Sequence, residues 1–354
     1  MNSVIKYQVL IIAFGLLFFE ISNSIAKIAE NTAADKDSSR NETKEIRQAA
    51  DDISSVRSLL IQKNGELLFE EYFDGQPASR AMNTKSASKS IISLLVGIAI
   101  DQGFIENKEQ QIHQYFPEYF KEITDPQKRT ITVEDLLTMR SGLETTSFHN
   151  YGRWVVSDDW VEFTLNQPMV DTPGDDMEYS TGSSHLLSVI IEKTSGMSTR
   201  AFAQKYLFDP MDIEAGGWQQ DPHGYYFGGN NLALRPADML KIGQMVLNGG
   251  TYGDQRIISK EWLSQSFQTY TRSNYNPYDY GYMWWNRMVA GRKVYFAWGF
   301  GGQYIFIIPE LDSVVVITSS LQNANQSRSY KRPVFNLLRT SIIPYLEDIG
   351  RTEA

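Results

Sequence analysis

The stretch that decides the fold runs Lys85-Ser86-Ala87-Ser88-Lys89-Ser90-Ile91-Ile92-Ser93-Leu94-Leu95-Val96-Gly97-Ile98-Ala99-Ile100-Asp101-Gln102-Gly103. From residue 86 to residue 100 it holds a single charge, Lys89, and its isoleucines, leucines and valine leave no broad polar face. A helix apolar nearly all round is a buried helix. Gly103 supplies the left-handed residue that ends it, so the sequence predicts a core helix over residues 86–102. At about 100° per residue, Ser86, Ser90, Ser93 and Gly97 form a stripe of small side chains with Lys89 at its edge. Ser86 and Lys89 are then one turn apart at the start of the helix.

A buried ammonium is expensive, and desolvation can lower a lysine several units from its reference value of ~10.4. A neutral amine beside a serine hydroxyl can take its proton during nucleophilic attack, which is the Ser-Lys variant of triad chemistry. The N-terminal end of the helix adds N–H groups that favour a developing oxyanion. The spacing alone leaves a second reading open. S-x-x-K also occurs at Ser3 and Ser24, and a lone lysine can extend its stem past a helix end into water.

The 354 residues, 42% of them hydrophobic, can bury a large core. A net charge of −9 argues against a nucleic-acid partner. With no cysteine and four scattered histidines (His113, His149, His185 and His223), the pattern offers no metal-ligand pair, and no cofactor is expected. Each histidine is expected at the surface or in a cap. No G-x-S-x-G elbow is present.

Residues 1–26 have the form of an export signal: Lys6, an apolar run over 9–19, then Ser24-Ile25-Ala26 as a cleavage site. The run is short of the ~20 residues that span a bilayer, so no stable membrane anchor is expected and the mature chain is expected in the periplasm or medium. Residues 27–54 form a polar leader with a short helix near 42–52. Lys63-Asn64-Gly65 lies between two strand-like runs over 58–73 and marks a hairpin.

Beyond Gly103 the pattern turns helical over about 104–250. Thr132-Val133-Glu134-Asp135 has the form of a capping box, and Ser157-Asp158-Asp159 precedes a helix carrying Trp160, Phe163 and Leu165. Tyr179 falls on a turn-rich segment before a helix over 183–194 that Gly196 stops. Further helices are expected near 202–207, 236–247, 260–267 and 333–346. Short aromatic or β-branched strands are expected over 280–285, 293–298, 303–308 and 314–318. Strands at both ends and helices between predict an α/β (α+β) domain over 55–346, with a tail after it. One sheet would come from about 55–85 and 275–320, and the helical region would pack beside it.

Three stretches in this order resemble the serine β-lactamase and penicillin-recognising superfamily, in its class C-like branch. Ser86-Ala87-Ser88-Lys89 resembles the first motif, Tyr179-Ser180-Thr181 the Tyr-x-Asn loop, and Trp298-Gly299-Phe300-Gly301-Gly302-Gln303 the third motif on its strand. Ile131 to Leu137, Ser141-Gly142-Leu143 and Leu234 to Met239 also match. The likeness implies an antiparallel sheet flanked by helices, with the cleft between sheet and helical region. It implies Ser86 as nucleophile, Lys89 as base or proton relay, and Tyr179 as proton shuttle. The backbone amides of Ser86 and Phe300 would form the oxyanion hole, and Thr181, Trp298, Gly299 and Gly301 would contact substrate.

Two departures from the family pattern bear on substrate. Thr181 replaces an amide side chain, and Trp298 stands where β-lactamases and penicillin-binding proteins carry a lysine or histidine that helps hold the substrate carboxylate. A neutral aromatic cannot replace that cation, although Arg292 or Lys293 lies near in sequence. The W-G-x-G-G-Q form is similar to 6-aminohexanoate-dimer hydrolases and esterase-like members. The expectation is an exported serine hydrolase that forms an acyl-enzyme and cleaves an ester or linear amide. The alternatives are a β-lactamase or D-alanyl-D-alanine peptidase, and a non-catalytic wall-binding or sensor protein. Tyr278, Tyr280, Tyr282, Trp284, Trp285 and Trp298 could line an acyl pocket, with core packing the simpler role for most.

Overall fold

The computed structural model describes residues 41–322 and 330–352; the expected export signal lies outside them. The described residues open on helix α1 (residues 41–51), whose Ile46 and Ala50 are buried. Residues 41–54 of the segment expected as a polar leader therefore already include a helix packed on the core. Strands β1 (Val56–Lys63) and β2 (Glu66–Tyr72) form the hairpin that Asn-Gly marks. Asn64 and Gly65 both take positive φ, 50° and 79°, as a two-residue turn matched to strand twist requires.

Strand β3 (Met82–Asn83) leads through a 3-10 turn, Lys85–Ala87, into α2 (Ser88–Asp101). The helix expected from residue 86 thus begins as a tighter turn, entered through Lys85 at φ 52°. Every residue of α2 from Ser88 to Ala99 is buried. The small-residue stripe has a packing reason. Trp262 lies against Gly97 so closely that a Cβ there would meet its indole at 2.4 Å, and its Nε1 donates to the Ser93 carbonyl at 3.1 Å.

Short helices α3 (Val133–Leu137), α4 (Tyr151–Val155) and α5 (Trp160–Leu165) follow. Thr132 and Asp135 form the reciprocal capping box, and Asp159 caps α5 by accepting from the Glu162 amide. Next come α6 (Thr181–Ser195), stopped by Gly196 at φ 68°, and α7 (Thr199–Ala203), which continues as a π-helical turn, Gln204–Phe208. Strand β4 (Ala233–Leu234) pairs with β3. Helix α8 (Pro236–Leu247) lies across the sheet, where a Cβ on Gly243 would sit 2.5 Å from Val314. A small ribbon of β5 (Thr251–Tyr252) and β6 (Gln255–Arg256) precedes α9 (Lys260–Ser266).

The remaining strands are β7 (Thr271–Arg272), β8 (Asp279–Tyr280), β9 (Trp285–Val289), β10 (Arg292–Gly299), β11 (Gln303–Ile308) and β12 (Ser313–Ser319). They join the hairpin in one antiparallel sheet ordered β2-β1-β12-β11-β10-β9-β8-β7. The first and last strands of the sequence meet where β1 pairs with β12. The last helical run is α10 (Lys331–Leu337), a π-helical turn, Leu338–Ile342, and α11 (Ile343–Thr352), so residues expected as a tail extend the helix.

One expected strand differs. Residues 280–285 split between β8 and β9, because Gly281 to Trp284 make a tight turn with Met283 at φ 59°. That turn docks on α2: Ser90 Oγ donates to the Met283 carbonyl at 2.6 Å. Its rings are buried against α9 and the residues that follow it, Tyr282 on Trp262 and Tyr270 and Trp284 on Phe267, and not by a sheet ladder, which is why strand-like composition misplaced it. His185 is a second correction. It is fully buried among Trp154, Trp160 and Phe227, whereas a surface or capping role was expected.

Candidate active site

Three separate elements bring the expected residues together. Ser86 sits on the 3-10 turn before α2, Lys89 in the first turn of α2, and Tyr179 on the loop before α6. Lys89 is 1% exposed, and its Nζ lies 3.4 Å from Ser86 Oγ. The stem does not escape to water. Its amine is held by the Gly229 carbonyl at 2.8 Å and by Thr181 Oγ1 at 3.2 Å.

Burial pulls the Lys89 amine from 10.5 down to about 7. No acidic side chain lies at ion-pair distance from it among the described residues. Tyr179 is half-buried and stacks on Trp285 at a centroid distance of 5.8 Å. Burial pushes its phenol up to about 12 against the opposing effect of a hydrogen bond with Ser86. The Lys89 amine stands 5.2 Å from the centre of the Tyr179 ring. Near neutral pH the arrangement therefore holds a protonated phenol and a half-deprotonated amine on one serine hydroxyl.

The loop carrying the Gly229 carbonyl is set from behind. Gly228 N–H donates to His185 Nδ1 at 3.4 Å, and His185 Nε2 meets Asp221 Oδ2 at 3.0 Å. Burial works to raise the Asp221 carboxyl, but the contact with His185 and the backbone amides of His223 and Tyr225 together outweigh it and hold the group below its usual range. A Cβ on Gly228 would meet the Ser184 carbonyl oxygen at 2.2 Å, and one on Gly229 would meet Ser184 Oγ at 2.2 Å. Only glycine lets this strand of backbone press onto α6 and reach the amine.

The third motif closes the other side of the cleft. Gly299 ends β10, and a Cβ there would stand 2.0 Å from the Thr84 carbonyl oxygen. The end of β10 is thus pressed against the backbone that leads into Ser86. Gly301 and Gly302 turn the chain at φ 84° and 102°. Gln303 staples β11 to β12, donating from Nε2 to the Ser319 carbonyl at 2.8 Å and accepting from the Ser319 amide at 3.1 Å.

Three of the residues expected to contact substrate make contacts within the protein. Thr181 is 4% exposed and faces Lys89 and Ser147, whose Oγ lies 2.8 Å from Thr181 Oγ1, so it orients the amine. Gly299 and Gly301 serve close approach and turn geometry, and the Gly301 amide bonds to the Tyr330 hydroxyl. Trp298 does line the cleft, together with Ser86, Tyr179, Trp285 and Phe300, around a volume of about 800 Å³. Tyr278, Tyr280, Tyr282 and Trp284 are core residues.

Arg292 and Lys293 do not reach the cleft. Arg292 is engaged by Glu310 and Glu347, and Lys293 lies 3.9 Å from Asp279. Sequence reasoning missed Phe148 and Tyr275, which pack at 4.7 Å on the cleft mouth, and Lys331, which reaches in from α10. No motif marks these three. The Gly228-Gly229 pair before Asn230-Asn231 was the legible signal for the loop that holds Lys89. Among the described residues no group of three or more His, Cys, Asp or Glu side chains is gathered as metal ligands would be.

The Beta-lactamase family model matches residues 46–337, which takes in all three elements of this site. The chain belongs to that family. The 6-aminohexanoate-dimer hydrolase of Paenarthrobacter ureafaciens is 23% identical over 288 residues, covering 74% of this chain and 72% of that one. Solved structures of the same fold include a 6-aminohexanoate-dimer hydrolase-like chain from Bacillus anthracis, with TM-score 0.71 and 19% identity over 85% of this chain and 81% of that one. Another is the hydrolase EstCE1, with TM-score 0.68 and 14% identity over 86% and 99%. As a member of this family the protein is a serine hydrolase, and the expected sheet flanked by helices is the observed fold.

Proposed function

We propose that the protein is an exported hydrolase that forms an acyl-enzyme on Ser86 and cleaves a linear amide or carboxylic ester. The observation that carries this reading is the buried Lys89 amine, poised near neutrality 3.4 Å from Ser86 Oγ. A neutral amine has two N–H groups and one lone pair. The Gly229 carbonyl and Thr181 Oγ1 take the two N–H groups, which leaves the lone pair for the Ser86 hydroxyl.

Ser86 Oγ attacks the substrate carbonyl carbon as its proton passes to Lys89. The tetrahedral oxyanion is held by the backbone amides of Ser86 and Phe300. Collapse expels an alcohol or amine, which takes the proton from Lys89 by way of the Tyr179 hydroxyl. Water, deprotonated by the same pair, then attacks the acyl carbon and releases the acid and Ser86. The phenol, held near 12, acts as relay and donor and the amine as base.

Purified protein should be labelled covalently by a fluorophosphonate, and Ser86→Ala should abolish the label. An intact mass unchanged after long incubation would sink the acyl-enzyme. Export is checked by N-terminal sequencing of the mature chain, which should begin near residue 27. A second reading, a β-lactamase or D-alanyl-D-alanine peptidase, draws support from Lys331, a cation in the cleft on an element other than β10. Turnover of a chromogenic cephalosporin without turnover of short-chain aryl esters would favour it.

A further inference from the structure

A second groove of about 340 Å³ adjoins the cleft, and Lys331 lines both. Arg287, Arg332 and Arg339 also line this groove, with Tyr278 and Phe335 as its floor. Arg287 lies over both rings, at 5.1 and 5.0 Å, and Lys331 lies 4.0 Å over Trp298. Aromatic faces therefore orient two of these cations.

Among the described residues no carboxylate pairs with any of the four, although the chain carries a net charge of −9. The cause is legible in the sequence. Between Asp312 and Glu347 there is no Asp or Glu, while Arg328, Lys331, Arg332 and Arg339 all fall there. Burial also holds the Lys331 amine below its usual range, so it is partly stripped of water with no counter-ion to compensate. An acidic protein with a concentrated basic groove beside its catalytic cleft has a local field that attracts anions.

We propose that this groove is an anion subsite that receives a carboxylate-bearing extension of the substrate, with Lys331 nearest Ser86 and Arg287, Arg332 and Arg339 beyond it. Guanidinium forks suit carboxylates, and several in one groove suit a chain bearing more than one. The substrate class is then an acidic oligomeric amide or ester. This rests on the hydrolase reading above and refines it.

The test uses the purified protein, a neutral aryl ester as reporter, and tri-glutamate against tri-glutamine as competitors. Tri-glutamate should inhibit at a concentration at least about tenfold lower than tri-glutamine. That preference should fall as salt rises, because the Debye length is only ~3 Å at 1 M. The double variant Arg332→Gln, Arg339→Gln should lose most of the preference, with fluorophosphonate labelling reporting that the serine site is intact. Wild type that labels but does not distinguish the two peptides overturns the subsite and leaves the hydrolase standing. Wild type that does not label overturns the hydrolase reading itself. A preference unchanged in the labelled variant overturns the assignment to this groove. Should the variant fail to fold, the salt dependence in wild type decides alone, and a salt-insensitive preference overturns the proposal.

Discussion

Lys89 Nζ lies 2.8 Å from the carbonyl oxygen of Gly229, a residue 140 positions away. This contact is what keeps the amine beside Ser86 and out of solvent. An extended lysine could have carried its charge past the end of the helix. Here the stem is fully enclosed, and the terminal nitrogen is fixed by a loop whose own position depends on His185 and Asp221.

Hydrolysis should follow the Lys89 amine. The group is active as a base when deprotonated, so kcat/KM on a neutral ester should rise with pH through a midpoint near 7 and then level off. Lys89→Ala should lower it ~10²–10⁴-fold. A pH-rate profile without an ascending limb in the range of 6–8, or retained activity in Lys89→Ala, would remove the amine from the mechanism.

The same amine should cost stability. Its folded value, about 7, lies below its unfolded value of 10.5, so on folding it must give up a proton or be buried charged. The cost is complete below pH 7, diminishes as pH rises from 7, and is gone above about 10.5. Lys89→Met should therefore be more stable than wild type at pH 6, by up to about 5 kcal/mol, with the gap narrowing toward pH 10. Urea unfolding at both pH values measures this, and a gap that widens with pH would contradict it.

Thr181 should act through Lys89. Thr181→Val keeps the shape but removes one acceptor of the amine and the partner of Ser147. Activity should fall roughly tenfold, in line with a lost hydrogen bond of ~1–1.5 kcal/mol. The midpoint of the pH profile should move as well, and Thr181→Ser should restore both. A change in KM alone would return Thr181 to substrate contact.

Gly229 should tolerate no side chain. A Cβ there would stand 2.2 Å from Ser184 Oγ and 2.9 Å from Lys89 Nζ. Gly229→Ala should displace the loop and the amine, reducing kcat and fluorophosphonate labelling together while the chain stays folded by circular dichroism. Full labelling in that variant would show that the loop does not position the amine.

Gly97 should matter for packing alone. Trp262 occupies the space a side chain would need, so Gly97→Ala overpacks α2 against α9 and should cost ~1–3 kcal/mol. Thermal unfolding checks the loss. The active-site geometry lies more than two turns away, so kcat of the folded fraction should be retained.

Local chemistry and periodicity were enough to place the elements. The nearly uncharged run after Ser86 had to be buried, Asn64-Gly65 had to turn, Thr132 and Asp135 had to cap, and Gly196 had to stop a helix, because each depends on a few neighbouring residues. The neighbourhood of Ser86 and Lys89 followed from a single helical turn, and the resemblance of the ordered motifs supplied Tyr179. Contacts between distant segments were decided only when the chain folded. The Gly229 carbonyl, the inward turn of Thr181 and the reach of Lys331 over Trp298 join residues far apart in sequence, and no periodicity encodes such pairings. The aromatic run 278–285 shows the same limit, since its composition suits a strand equally well whether a ladder partner or rings such as Trp262 and Phe267 are what bury it.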